Sequence, residues 1–179
     1  MNLEKIYIEL SRKEKDDYYI ELAQREVLVV PLLVEFMLDN QDTSSRWAQN
    51  LLEKISETKP MTVYPYFDYI STVFEKNKGI NAWNCWRIIA NILPVDISGY
   101  WDTIREKYIL ALSSDMITEF LIALSVADKI IDAKSADREI ILSTIQKSRV
   151  KNYTVCGEIS ESSRKIADEA VNSFFERLE

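Results

Sequence analysis

The feature that most constrains this chain is an internal repeat with a period of 37 residues. The segment Arg46-Trp47-Ala48 through Leu51, Leu52 and Ile55 aligns with the segment 37 positions on. Trp83 falls on Arg46, Cys85 on Ala48, Ile88 and Ile89 on Leu51 and Leu52, and Ile92 on Ile55. A second shift of 37 reaches Ile122, Ser125, Val126 and Lys129. The intervening segments keep the same period: Tyr64 maps to Trp101, Phe67 to Ile104 and Ile104 to Ile141. A unit of this length holds two short amphipathic helices. Neither can bury its apolar stripe alone, so stacked neighbours must supply the core.

Composition agrees with helices. With 3 Gly and 4 Pro in 179 residues, there is little material for the tight turns of hairpin-rich folds. A chain of this length buries roughly 70% of its unfolded surface, which is enough for one core. Leu3, Ile6, Tyr7 and Leu10 predict a first short helix. A helix over about 17–38 follows, kinked or broken at Pro31; two separate helices fit equally well. After the polar connector 40–44 comes a helix from about Ser45 to Glu57. Pro60 then opens one with Val63, Phe67, Ile70 and Phe74 inward. Lys76-Asn77-Lys78-Gly79 reads as a stop, with Gly79 as a left-handed C-cap. The next helix runs from Asn81 to Leu93 and ends at Pro94. Another starts at Ser98-Gly99 and turns Trp101, Ile104, Tyr108 and Leu112 inward. Met116 to Ala133 is apolar on most sides and reads as the most buried helix. Ser135 is placed to cap a helix from Ala136 to Arg149. Residues 151–157 read as a loop, and a last helix over about 160–178 buries Ile166, Ala170, Phe174 and Leu178.

Arg46-Trp47-Ala48-Gln49-Asn50-Leu51-Leu52 with Pro60, and Trp83-Asn84-Cys85-Trp86-Arg87-Ile88-Ile89-Ala90-Asn91-Ile92 with Pro94-Val95-Asp96, resemble the HEAT-like repeats of the armadillo/HEAT superfamily. From Met116 through Cys156 to Phe174 the chain also resembles a bacterial group of HEAT-repeat proteins of unassigned activity. The resemblance covers most of residues 40–179. It implies an all-α fold, a right-handed α-α superhelix or solenoid of stacked antiparallel helix pairs in one domain over 1–179. Residues 1–40 would form capping helices, about 43–77, 80–112 and 115–149 the repeat units, and 158–179 a C-terminal cap. The third unit departs from the pattern, with Ser125 and Lys129 at positions that are apolar in the first two.

Several chemistries are excluded by counting. There is no histidine, so Ser-His-Asp and Cys-His arrangements are impossible, and the commonest metal ligand is missing. Cys85 and Cys156 make neither a zinc motif nor a disulfide framework. The glycines, at 79, 99 and 157, are too far apart for a phosphate-cradling loop. Asp128 and Asp132 with Glu119 read as an acidic edge rather than a cation site. Cys85 reads as a buried hydrophobe and Cys156 as an inert thiol. Trp47, Trp83, Trp86 and Trp101 read as core, with either Trp83 or Trp86 reaching an edge. No catalytic, cofactor-binding or metal-binding residue is assigned.

What remains is a surface. The resemblance puts the second helix of each pair on the concave face. Its outward stripe would be Asp68 and Thr72, then Asp102, Arg105 and Ile109, then Glu139, Leu142 and Gln146, with Arg105 as an anchor for a carboxylate. With a net charge of -7 and a pI near 4.8, the mean field repels polyanions. Asp68, Asp102 and Glu139 also stand where a DNA track needs cations. The expectation is a cytoplasmic, non-enzymatic scaffold for a protein or peptide, without cofactor or membrane span, and monomeric or weakly dimeric. The alternative is a DNA-binding or base-excision protein like the HEAT-like alkylpurine DNA glycosylases. Lys147, Arg149 and Lys151 would be its only basic patch.

Overall fold

The computed structural model describes residues 3–10, 12, 15–39, 43–76, 79–155 and 157–178. The expectations for the side chains of Leu3 and Tyr7, for connector residues 40–42, for the stop residues 77–78 and for Cys156 lie outside the described residues. The chain forms two compact units, Met1–Ile97 and Ser98–Glu179. Among the described residues everything regular is helical except one two-residue strand pair. No helix among them is long and apolar enough to cross a membrane.

The N-terminal unit contains α1 (Leu3–Leu10), α2 (Asp16–Arg25), α3 (Val29–Leu38), α4 (Thr43–Thr58), α5 (Pro60–Val63), α6 (Phe67–Ser71), α7 (Val73–Lys76) and α8 (Ile80–Ile92). α4 packs on α2, α3 and α8, while α5, α6 and α7 pack on α8 and α6 also meets α3. These contacts are those of packed helices, with α4 and α8 at their centre.

The segment over 17–38 is two separate helices, as the second alternative had it, and Pro60 opens α5 as expected. Neither Pro31 nor the helix after Pro60, however, behaves as a simple stop or start. The 17–38 segment breaks at residues 26–28, ahead of Pro31. Pro31 then lies in the first turn of α3, where its missing N–H has no intrahelical carbonyl to lose. The helix opened by Pro60 is interrupted at Pro65 by a 3-10 turn, Tyr64–Tyr66, because the ring cannot donate and crowds the preceding turn. Gly79 is no C-cap. Its φ of 96° and ψ of -164° fall in a region open essentially to glycine, and it leads into α8.

The C-terminal unit contains α9 (Trp101–Leu112), α10 (Ile117–Leu124), α11 (Ala127–Ala133), α12 (Arg138–Ser148), β1 (Thr154–Val155), β2 (Glu158–Ile159) and α13 (Glu161–Leu178). α9 packs on α10 and α12, α10 on α13, and α12 on α11 and α13. The single helix expected over 116–133 is two helices. The Ser125 hydroxyl donates to the Ile122 carbonyl at 2.7 Å, a back-bond that weakens the helical ladder. α11 restarts with a new phase, burying Ala127, Ile130 and Ile131. That phase change leaves Ser125 and Lys129 exposed and explains their departure from the repeat.

Three smaller expectations also change. Ser135 opens a 3-10 turn, Ser135–Asp137, and no side chain caps α12. The loop after α12 carries the antiparallel pair Thr154–Ile159 and Val155–Glu158. α13 buries Ser163, Ala167, Val171 and Phe174, whereas Ile166 is 49% exposed.

The apolar positions of the first two repeats are core: Ala48, Leu51, Leu52, Ile55, Cys85, Ile88, Ile89 and Ile92 are all buried. So are Tyr64 and Trp101, and Phe67, Ile104 and Ile141. Trp86 is buried and stacks on Phe74 at 4.2 Å, while Trp83 is only partly covered.

Polar ties keep nearly the same spacing. Gln49 Nε2 donates to the Asn81 carbonyl, 32 residues away, and Asn91 Nδ2 to Ser56 Oγ, 35 away. Ser148 donates to the Leu112 carbonyl, 36 away. Lys151 reaches the Ser113 carbonyl, 38 away, and the Thr154 amide donates to the Asp115 carbonyl at 2.7 Å. The Leu112 and Ser113 carbonyls lie at the end of α9, where the helix has no further amides to offer, and the Asp115 carbonyl lies in the connector that follows.

Candidate binding surface on the C-terminal unit

One tie recurs in both units and brings chemistry with it. In the N-terminal unit the Tyr64 hydroxyl donates to Asp96 Oδ1 at 3.0 Å. In the C-terminal unit Trp101, one period after Tyr64, donates its Nε1–H to Asp137 Oδ2 at 2.6 Å. Here the carboxylate is buried, with 7% of Asp137 exposed. A buried carboxylate needs a counter-charge, and Arg105 supplies it from one turn along α9. Its Nε lies 2.6 Å from Asp137 Oδ1, off the N–H axis, so the contact is a close ion pair rather than an aligned hydrogen bond. The Arg105 side chain stays 41% exposed. It borders an open depression of about 480 Å³ with Asp102 from α9 and Lys134, Ser135 and Asp137 from the turn before α12.

A second depression, of about 580 Å³, lies between α12 and α13 and is bordered by Gln146, Arg149, Val150, Glu161, Arg164, Lys165 and Asp168. Arg149 bridges the two helices, with Nε 3.2 Å from Asp168 Oδ1 and a second guanidinium nitrogen on Asn172 Oδ1.

The sequence-derived stripe is therefore distributed. Asp102 and Arg105 meet at the first depression and Gln146 borders the second. Ile109 and Leu142 are half-buried and Glu139 is exposed. Asp68 and Thr72 belong to the N-terminal unit, where Asp68 is exposed and the Thr72 hydroxyl donates to the Tyr69 carbonyl at 2.7 Å. Arg105, expected to anchor an external carboxylate, already holds an internal one. Sequence reasoning missed Asp137 and the Arg164–Lys165 pair. Asp137 had a partial signal: an aspartate follows the first helix of the second and third repeats, at 96 and 137, although none follows α4.

Among the described residues, Cys85, Tyr108 and Tyr153 are enclosed. Cys85 is fully buried, and desolvation pushes its thiol up to about 12 despite the Gln49 Nε2–H donated to its sulfur at 3.1 Å. Its Sγ lies 3.7 Å from Met37 Sδ. Burial also raises the Tyr108 phenol well above its usual value and Tyr153 to about 12. Glu119 accepts the Ser114 hydroxyl at 2.6 Å and Asp128 the Lys129 amide at 2.8 Å. Among the described residues no three His, Cys, Asp or Glu side chains converge as metal ligands would.

No protein family, curated protein or solved structure matches this chain.

Proposed function

We propose that the protein is a non-enzymatic binding scaffold. Its helix pairs continue as a HEAT-like array, and it recognises a protein or peptide along the seams between α9, α12 and α13. The observation that carries this reading is the Arg105–Asp137–Trp101 cluster beside an open depression. A guanidinium fixed through Nε by a buried carboxylate loses little freedom when its outer edge meets a ligand oxygen, and such preorganisation favours binding. The mixed lining, with Asp102, Lys134 and Ser135 around Arg105, suits the backbone and polar side chains of a peptide.

The test is selection of a displayed random-peptide library on the whole chain, followed by binding to Ser135→Trp. Ser135 is exposed at the rim of the depression and outside the Asp137 cluster. Selected peptides should lose most of their affinity for this variant. Failure to enrich any peptide, or equal binding to Ser135→Trp, refutes the reading.

A further inference from the structure

The seam between α12 and α13 carries a net positive charge in an acidic chain. Residues 146–168 hold five cations (Lys147, Arg149, Lys151, Arg164, Lys165) and three carboxylates (Glu158, Glu161, Asp168), in a chain whose net charge is -7. Two of the five cations have structural work. Arg149 is held by Asp168 and Asn172, and Lys151 covers the Ser113 carbonyl at the end of α9. Arg164 and Lys165 do not. Arg164 has no carboxylate within ion-pair distance among the described residues. Lys165 approaches Glu169 only to 3.9 Å, with the two side chains 80% and 66% exposed, a pair that contributes almost nothing in water.

Arg164 and Lys165 are the fourth and fifth residues of α13, where the positive end of its dipole gives a cation no stabilisation. Two exposed cations, one without an ion-pair partner and one only weakly paired, stand beside a depression and are available to a ligand. Val150, 76% exposed, adds an apolar side chain to the same border.

We propose that this seam binds an acidic peptide segment of a partner protein. Arg164 and Lys165 take its carboxylates, and Val150 covers an apolar side chain between them. The inference rests on the binding-scaffold reading and names the chemistry of its partner. A nucleic acid fits less well, because phosphate tracking needs a run of cations and Glu158, Glu161 and Glu169 interrupt this one.

The probe is a fluorescein-labelled peptide of alternating glutamate and leucine, followed by fluorescence anisotropy with the full chain. Controls are the same peptide with glutamine for glutamate and a labelled duplex DNA. The acidic peptide should bind, and binding should weaken as salt rises. Arg164→Glu/Lys165→Glu should lower the affinity about tenfold or more. Arg164→Gln should give a smaller loss with an unchanged thermal melt, which separates binding from folding. Equal binding of the glutamine peptide, or indifference to the double variant, overturns the acidic specificity and leaves the scaffold reading standing. Tighter binding of the duplex overturns the proposal in favour of nucleic acid. If the acidic peptide fails to bind the intact chain while library-selected peptides bind the Ser135 depression, this inference fails alone; if neither binds, both fail.

Discussion

Asp137 ties the turn before α12 to two side chains of α9. It accepts the Trp101 indole N–H and balances the Arg105 guanidinium from a buried position. Replacing it by alanine leaves an indole donor and a cation without their partner. Asp137→Ala should therefore cost about 3 kcal/mol in urea unfolding, and Trp101→Phe, which removes the donor and part of a buried ring, about 2 kcal/mol. A loss below about 0.5 kcal/mol for Asp137→Ala would mean that the cluster is solvated. A second residue-level effect is alkaline. Tyr153 titrates near its ordinary 10.0 when unfolded and at about 12 when buried. The folded state then holds a proton that the unfolded state releases. Stability from this group is complete below pH 10 and declines as pH rises toward 12. The full window is worth about 2–3 kcal/mol by linkage, and Tyr108 shifts in the same direction. Circular dichroism against pH should show this loss, and Tyr153→Phe should flatten it. The same slope in both proteins would contradict the assignment. The sequence marked Trp101 as core and Arg105 as polar surface. It did not pair them through Asp137, because that pairing depends on how the turn before α12 closes over α9.

At the scale of elements, the sequence specified where helices lie better than how they end or which face they bury. α13 shows why. Ile166 with Ala170 and Ala167 with Val171 are both apolar pairs four residues apart, so periodicity permits either face. The structure buries Ala167 and Val171 and leaves Ile166 half in water. α13 meets α10, and a small residue such as Ala167 suits a close helix contact. Ala167→Lys should cost more than about 3 kcal/mol by placing a charge in that contact, while Ile166→Lys should stay within about 0.5 kcal/mol. Thermal melts of the two variants read this directly, and reversed effects would move the buried face. The breaks at Pro65 and Ser125 differ in how far the sequence signals them. Pro65 carried a clear local signal, whereas a single serine in an apolar helix is common and bends it only where neighbours reward the new phase. The strand pair at 154–159 rests on contacts with Met116 and Asp115 rather than on an alternating pattern of its own.

Across the whole molecule the period of 37 appears twice, first as apolar spacing in the sequence and then as the reach of polar ties in space. Lys54 meets Asp16 across 38 residues and Arg87 lies 3.8 Å from Glu53. Gln49 meets Cys85 across 36 residues. Contacts between equivalent places one unit apart are what stacked helix pairs generate, and they were legible because a core must repeat where its frame repeats. The division into units at Ile97–Ser98 falls inside the segment read from sequence as the second repeat. Surface chemistry was less legible, since charges are free to vary wherever packing is indifferent. The candidate seams are marked instead by exposed cations beside open depressions. The most direct test is an amide chemical-shift map of the intact chain titrated with a library-selected peptide. Perturbations should cluster on residues 101–109, 133–150 and 161–168. Perturbations confined to the N-terminal unit, or no saturable change at all, would contradict the account.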